Sequence, residues 1–137
     1  NNNNNNNNDN NNIKVKKVNK LISLDQTKAY CCGECGTDIG LHSDIESQCY
    51  QVGQGAFTEK KRGFLFKNAV NLKQGVIKTE NFTTGSYQIS WVNCIKCNQE
   101  LGWKYINADN DANSSKVGKY CLSRYKLTSY KDRQSRQ

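Results

Sequence analysis

Short runs in which apolar and polar residues alternate dominate the chain from residue 62 onwards. In the stretch SYQISWVN, residues 86–93, the side chains of Tyr87, Ile89 and Trp91 fall on one face of an extended strand, and smaller or polar residues fall on the other. Runs of this kind are rich in Val, Ile, Tyr, Phe and Trp, and Gly, Asn and Ser clusters separate them. The predicted strands are Val18–Leu24, Arg62–Leu72, Ser86–Asn93, Leu101–Asn107 and Gly118–Leu127.

Helical periodicity is weak along the whole chain. No window longer than about 11 residues carries an apolar stripe at helical spacing. The segments 40–61 and 107–117 are polar and are predicted to be loops. The pattern therefore predicts a mainly β fold, and a length of 137 residues is that of one domain.

Composition divides the chain into a folded part and two tails. Residues 1–12 are Asn except for Asp9, and such a tract buries no apolar surface that could offset the entropy of ordering it. An Asn-rich aggregation or condensation element is the alternative interpretation. We predict a disordered Asn-rich and basic N-terminal tail at 1–20, a domain at 21–127, and a basic C-terminal tail at 128–137.

The net charge of +8 sits mainly at the two ends. Residues 1–29 carry five lysines against two acids, and residues 124–137 carry five basic groups against one acid. Residues 30–123 are nearly neutral, with ten basic and nine acidic groups, and lack the concentrated basic face of a dedicated DNA or RNA reader. We therefore expect no specific nucleic-acid recognition. No apolar run approaches about 18 residues, so no membrane span is expected either.

Two Cys-x-x-Cys motifs stand out among the seven cysteines. They are Cys32–Cys35 and Cys94–Cys97. An odd cysteine count with no secretory signal pattern argues against a disulfide framework. A thioredoxin-like redox pair needs one such motif at the start of a helix in a βαβ unit, whereas here both motifs precede strand-like sequence.

The residue after each second cysteine tolerates a positive φ, namely Gly36 and Asn98. Such a residue suits a tight knuckle whose backbone N–H groups point at the thiolates. Four thiolates from two knuckles form the tetrahedral sulfur set that selects Zn²⁺ and leave no open position for a catalytic water. The sequence therefore predicts one structural zinc ion, held by Cys32, Cys35, Cys94 and Cys97.

The 58 residues between Cys35 and Cys94 exceed the separation in a zinc ribbon. The metal is therefore expected to clip together two hairpins that are distant in sequence, with a sheet built between them. A structural zinc contributes on the order of 10 kcal/mol to folding, which would offset the small aliphatic core.

Five stretches of the chain carry a family resemblance when they are taken in order. They are YCCGEC (30–35), LHSDI (41–45), GFLFKNAVN (63–71), CIKCNQELGWKY (94–105) and KVGKY (116–120). From about Tyr30 to Leu122 the chain thus resembles the Yippee-like protein family, and the surplus length between its cysteine pairs fits residues 53–63, a predicted exposed loop. It departs from the family's pattern in two places: Tyr87 and Trp91 stand where the family commonly has His and Asp, and the usual glycine-rich approach to the Phe-Leu-Phe strand is altered.

The resemblance implies a β-tent fold, in which two antiparallel sheets are held by one four-cysteine zinc site. It also implies a small, non-catalytic zinc protein of nucleus and/or cytoplasm that acts by binding protein partners. Some members are associated with ubiquitin-ligase assemblies, so a regulatory role within such an assembly is an expectation here as well.

A related β-tent, the ligand-binding domain of cereblon, suggests a ligand groove as an alternative. Its aromatic cage corresponds to the stretch with Trp103 and Tyr105, while one cage tryptophan falls at Ile89. A groove for a peptide or small ligand would use Trp103, Tyr105 and Tyr87, with Trp91 on the same strand face as Ile89. The other interpretation is that Trp103 packs the core beside the zinc.

A second alternative is enzymatic. Methionine sulfoxide reductases of the B type have a similar pair of motifs and a downstream Tyr-Cys, which would make Cys121 a nucleophile. That chemistry needs an activated thiolate beside histidines, and His42 is the one histidine of the chain. Burial of Cys121 in a strand is the expected role.

Three further residues have simpler interpretations. His42 is expected to be exposed, with a local hydrogen bond, because a fifth metal ligand would be superfluous. Cys31 adjoins Cys32 but falls outside the knuckle register, and no partner for Cys49 is evident from the sequence.

Overall fold

A computed structural model describes residues 20–50 and 62–135. The Asn-rich tract, Val18 and most of the predicted loop at 53–63 lie outside the described residues. The described elements are β1 (Ala29–Cys32), β2 (Asp38–Leu41), β3 (Ile45–Tyr50), β4 (Arg62–Phe66), β5 (Leu72–Phe82), β6 (Gly85–Cys94), β7 (Glu100–Ala108), β8 (Tyr120–Ser123), β9 (Leu127–Ser129) and α1 (Tyr130–Gln134). Three 3₁₀ turns at His42–Asp44, Asp111–Lys116 and Arg124–Lys126 connect strands.

The strands form two sheets, and every described pair is antiparallel. The small sheet has the order β2-β1-β9, and the large sheet has the order β3-β4-β8-β7-β6-β5. β1–β2 and β6–β7 are hairpins, each built around one Cys-x-x-Cys motif. The mainly β fold with two antiparallel sheets, expected from the sequence, is therefore confirmed.

Some predicted strands agree with the structure and others do not. Ser86–Asn93 and Leu101–Asn107 lie within β6 and β7, but the predicted strand Arg62–Leu72 ends at Phe66 and a new strand begins at Leu72. β3 occupies part of the predicted loop 40–61, and β5 was missed except for its first residue. Both missed strands carry mostly exposed side chains, which removes the alternation that marks a strand.

The predicted strand Val18–Leu24 is wrong over its described part, because residues 20–24 are not extended in a sheet. Side chains hold this segment instead. The Asn71 side-chain amide exchanges two hydrogen bonds with the backbone of Ile22, both of 2.8 Å. The Leu24 N–H donates to the Asp38 carboxylate at 2.8 Å. Its apolar composition predicted a strand, but backbone groups of Ile22 and Leu24 form hydrogen bonds with side chains instead of with a neighbouring strand.

The two faces of the large sheet carry two separate cores. Along β4 and β8, Leu65 lies opposite Cys121 on one face, while Phe66 and Leu122 face the other side. One core, here the metal-side core, packs against the small sheet, and the other is here the aromatic core. The metal-side core comprises Cys32, Ile39, Phe66, Val92, Cys94, Leu101, Leu122 and Leu127, and the aromatic core comprises Leu65, Tyr87, Ile89, Trp103, Tyr105 and Cys121.

An irregularity in the β6–β7 pairing decides which core Leu101 joins. Val92 pairs with Gly102, but Asn93 pairs with Glu100, so Leu101 is an extra residue in β7. Leu101 therefore belongs to the metal-side core, although it stands two positions before Trp103 of the aromatic core. Strict alternation would have placed both residues on one face.

The C-terminal residues contribute to the fold. Ser129 pairs with Tyr30 across β9 and β1, and the Ser129 and Asp132 side chains form a capping box that starts α1. The structure thus contains a strand end and a helix in the range 128–137 predicted as a tail. No helix in residues 20–50 and 62–135 is long and apolar enough to cross a membrane.

Candidate metal centre

Both Cys-x-x-Cys motifs form the same backbone knuckle. In the first, the Gly36 N–H donates to the Cys32 carbonyl at 2.8 Å, and Gly36 has a φ of 76°. In the second, the Asn98 N–H donates to the Cys94 carbonyl at 2.8 Å, and Asn98 has a φ of 66°. The positive φ expected at both positions is confirmed. It reverses the direction of the backbone after each Cys-x-x-Cys motif.

Each knuckle is also fixed from outside. The Gly33 N–H donates to the Lys126 carbonyl at 2.8 Å, just before β9, and the Ile95 N–H donates to the Asn71 carbonyl at 2.9 Å. The residue after the first cysteine makes the outside contact in both knuckles. The two hairpins are therefore held at equivalent points by segments distant in sequence.

The sulfur atoms of the two knuckles converge. The Sγ atoms of Cys32, Cys35, Cys94 and Cys97 lie within 4.8 Å of one another. The Cys32–Cys97 and Cys35–Cys94 Sγ separations are 3.6 and 3.5 Å. Zinc–sulfur bonds of about 2.3 Å in a tetrahedron require sulfur separations of about 3.8 Å. The sulfur positions therefore fit a tetrahedral Zn²⁺ site that joins the small sheet to the large one.

The ionisation of the cluster thiols depends on their burial and on the charges around them. Burial is the main reason that the pKa of Cys32 rises to about 12. For Cys35, partial burial acts to raise the pKa, but hydrogen bonds from the Thr37 hydroxyl and backbone outweigh it and lower the pKa to about 7. Four neighbouring thiolates need a positive charge among them to ionise together, and a divalent metal supplies it.

Cys31 and His42 are outside this cluster and have other partners. The Cys31 thiol points to Asp38 and donates to its Oδ1 at 3.2 Å, and Cys31 is outside the four-sulfur cluster. His42 is exposed, and its Nε2 lies 3.3 Å from the Tyr30 hydroxyl. The exposed position and the local hydrogen bond expected for His42 are therefore found.

The aromatic residues proposed for a ligand groove do come together, with a fifth ring that the sequence did not point to. Trp103 makes edge-to-face contacts with Trp91 and Tyr105, with ring centroids 5.4 and 6.1 Å apart. Tyr87 and Tyr105 lie 5.1 Å apart. The fifth ring belongs to Phe82, which stacks on Trp103 at 5.4 Å with an interplanar angle of 17°.

These rings pack against one another and leave no open groove at Trp103. Trp103 is 2% exposed, and the Phe82 ring covers the indole face. The Lys116 ammonium lies 5.6 Å from the centroid of the Tyr87 ring and 5.7 Å from that of Tyr105. Trp103 is thus a core residue, as one interpretation held. The expectation that it packs beside the zinc is wrong, because it belongs to the aromatic core on the other face.

Cys49 and Cys121 form a disulfide that the sequence did not predict. Their Cα atoms are 6.1 Å apart, and they lie on β3 and β8, which flank β4. The bond crosses Gly63 of β4, where an added Cβ would meet the Cys49 and Cys121 sulfur atoms at 3.0 and 3.3 Å. Cys121 is fully buried and bonded, so the sulfoxide reductase alternative has no free nucleophile at this position.

Comparison with known proteins agrees with the fold and the cysteine cluster. The family model described as Yippee zinc-binding/DNA-binding and Mis18, centromere assembly, matches residues 28–137. The chain belongs to the Yippee-Mis18 family. The resemblance stated from the sequence motifs is therefore confirmed.

Individual relatives cover most of the domain. A yippee-like protein of Arabidopsis thaliana is 34% identical over 100 residues, which span 73% of this chain and 89% of that protein. Protein yippee-like 3 of Homo sapiens is 31% identical over 98 residues, or 72% of this chain and 77% of that protein. The crystal structure of the Mis18 'Yippee-like' domain matches with a TM-score of 0.54 at 17% identity, and covers 75% of this chain and 94% of that one. This last likeness concerns the fold.

Proposed function

We propose that the protein is a non-catalytic module that one structural zinc ion holds in shape and that acts by binding other proteins. The convergence of four cysteine sulfurs between the two sheets carries this proposal. When bound, Zn²⁺ would link four thiolates and so cross-link β1–β2 to β6–β7. Because all four tetrahedral positions are sulfur, the metal would have no position left for water or substrate.

Metal analysis and metal removal test the zinc assignment together. We expect one zinc ion per chain in the purified protein, and loss of the near-UV circular dichroism of the buried aromatic side chains when a strong chelator removes it. Retention of the native near-UV spectrum after verified zinc loss would refute a folding role. Absence of zinc from freshly purified, folded protein would refute the site itself.

Interaction with protein partners is the functional part of the proposal. Membership of the Yippee-Mis18 family supports it, and a ubiquitin-ligase-type assembly is the kind of setting that we expect. Affinity capture of the tagged, folded chain from extract, with quantitative mass spectrometry, tests it. A stoichiometric partner retained at physiological salt is the expected result. Steady turnover of methionine-R-sulfoxide by the purified protein would instead favour an enzyme.

Localisation in the nucleus and/or cytoplasm is also part of the proposal and rests on the family resemblance. The Cys49–Cys121 disulfide is the observation that weighs against it, because disulfides are rare in reducing compartments. Imaging of a fluorescent fusion, combined with a count of free thiols in protein from cells, examines both points. Entry into the secretory route would contradict the proposed location.

A further inference from the structure

A groove of about 370 Å³ lies beside the pairing of β1 with β9 in the small sheet. Its volume is within the range of pockets that hold ligands or peptide side chains. Neither the metal centre nor the aromatic core uses it. Its lining includes three aromatic and three basic side chains: Tyr30, Phe64, Tyr130, Lys28, Arg124 and Lys131.

The C-terminal segment forms one wall of the groove. β9 pairs with β1 through Tyr30 and Ser129, and the capping box at Ser129 turns the chain directly into α1. The Arg133 guanidinium then donates to the Gln26 carbonyl at 3.4 Å and ties α1 to the turn before β1. The wall is therefore held at both ends and does not depend on a free tail.

Aromatic rings supply the apolar part of the groove. Tyr30 and Phe64 contact each other with ring centroids 5.3 Å apart, and both keep part of their surface accessible. Tyr130, the first residue of α1, is 41% exposed. Partly exposed aromatic rings in a concave site are typical anchors for an apolar or aromatic side chain of a partner.

The charge of the groove is positive. Lys28, Arg124 and Lys131 line it together with a single acid, Asp132. One Asp132 carboxylate oxygen already accepts a hydrogen bond from the Ser129 N–H at 3.1 Å. His42 also lines the groove.

We propose that this groove binds an acidic peptide segment of a protein partner, with an apolar or aromatic side chain seated among the rings and carboxylates on Lys28, Arg124 and Lys131. This inference rests on the proposed interaction function and names the partner's chemistry. Charge complementarity selects such an occupant. The chain's own segments outside the described residues are each net basic and so do not match an acidic occupant: 1–19 has one acid and three lysines, 51–61 has one acid and two lysines, and 136–137 has one arginine and no acid.

Fluorescence anisotropy with a defined probe tests the proposal. The probe is a short labelled peptide with glutamates around a central phenylalanine, and it is compared with two control peptides, one with glutamine for glutamate and one with alanine for phenylalanine. We expect the probe to bind the full chain at physiological salt. We expect each control peptide to bind at least about tenfold more weakly.

Two matched double variants then locate the site. Arg124→Glu with Lys131→Glu reverses two exposed groove charges, and Lys73→Glu with Lys78→Glu reverses two exposed charges on β5 at the far edge of the large sheet. Both change the net charge by the same amount. The groove variant should bind the probe at least about tenfold more weakly, and the β5 variant should remain within about twofold of wild type.

Other outcomes would overturn the proposal. They are no binding of the probe, equal binding of the phenylalanine-free peptide, or equal losses in the two double variants. Zinc content and near-UV circular dichroism of each variant establish that it is folded. If the folded groove variant still captures the same partners from extract, the interaction function stands and the groove assignment fails. If wild type captures none, the interaction function fails separately.

Discussion

The two faces of the large sheet solve the same packing problem in different ways. The metal-side core is built from small and aliphatic side chains with one phenylalanine, and it is closed by a second sheet and four cysteines. The aromatic core has no second sheet against it among the described elements, and three of its six residues are Tyr or Trp. Large rings cover more apolar area per residue, so fewer of them are needed.

Sulfur cross-links support both cores, at different levels of structure. The four-cysteine cluster joins two sheets whose hairpins are 58 residues apart in sequence. The Cys49–Cys121 disulfide joins two strands of one sheet across the strand between them. Zn²⁺ bound to the four cysteines would therefore hold the two sheets together, whereas the disulfide fastens the edge strand β3 to its own sheet. We therefore expect substitutions in the metal-side core to unfold the whole domain and substitutions in the aromatic core to destabilise it only in part.

The largest expected effect is on the metal side. Cys94→Ser should remove zinc and abolish cooperative unfolding, because the loss of a structural zinc site costs on the order of 10 kcal/mol. Cys31→Ser is the matched control, since its sulfur donates to Asp38 rather than joining the cluster, and a serine hydroxyl can do the same. Urea unfolding followed by near-UV circular dichroism, with zinc content, measures both. A native spectrum for Cys94→Ser would contradict the expectation that the metal-side core is the more sensitive of the two.

A smaller loss is expected in the aromatic core. Trp103→Ala should lower the free energy of unfolding by about 3–5 kcal/mol, as for other large-to-small changes of buried aromatic residues. The variant should keep one zinc ion, because Trp103 and the four cysteines lie in different cores. Tyr125→Ala, at an exposed position, should change stability by less than about 0.5 kcal/mol. Loss of zinc from folded Trp103→Ala would show that the cores are coupled.

The third prediction concerns the strand beneath the disulfide. A Cβ at position 63 would lie 2.6 Å from the Leu122 carbonyl oxygen and 3.0 Å from the Cys49 sulfur. Gly63→Ala should therefore destabilise the protein by about 1–3 kcal/mol through overpacking. At Gly75 on β5 the nearest atom, the Trp91 carbonyl oxygen, is 3.5 Å away, so Gly75→Ala should be nearly neutral. Thermal unfolding compares the pair, and equal midpoints would contradict the close approach.

The smallest effect is expected from the lysine above the aromatic core. Lys116→Met keeps much of the aliphatic stem but removes the ammonium that faces the Tyr87 and Tyr105 rings. We expect a loss of about 0.5–1 kcal/mol, the usual size of a partly exposed cation–π contact. Lys78→Met on β5 is the control. A loss for Lys116→Met that matches the control would mean that the ammonium does not stabilise the rings.

The sequence predicted best what depends on short spacing. Cys32, Cys35, Cys94 and Cys97 could be grouped because each pair and its following Gly36 or Asn98 define a local knuckle. Alternation in β6 likewise placed Tyr87, Ile89 and Trp91 on one face, and all three pack in or against the aromatic core. The zinc-binding role of the four cysteines stays a prediction, while their grouping in space is a feature of the structure.

What depends on the course of distant strands could not be read from the sequence. Cys49 and Cys121 are 72 residues apart, and they meet only because β3, β4 and β8 are adjacent and Gly63 leaves room between them. Leu101 changes faces because of one extra residue in β7. Because of that extra residue, Trp103 lies in the aromatic core although Leu101, two positions earlier, lies in the metal-side core.

The pairing of β1 with β9 joins the first and last strands that the structure describes. On a ribosome, which makes about 5–20 residues per second, all four cysteines precede Leu127 in the nascent chain. The metal can therefore be captured while the small sheet is still a two-stranded hairpin. Addition of β9 then completes the small sheet and the groove wall, so a chain that stops before Leu127 would keep all four cysteines but lack that wall of the groove.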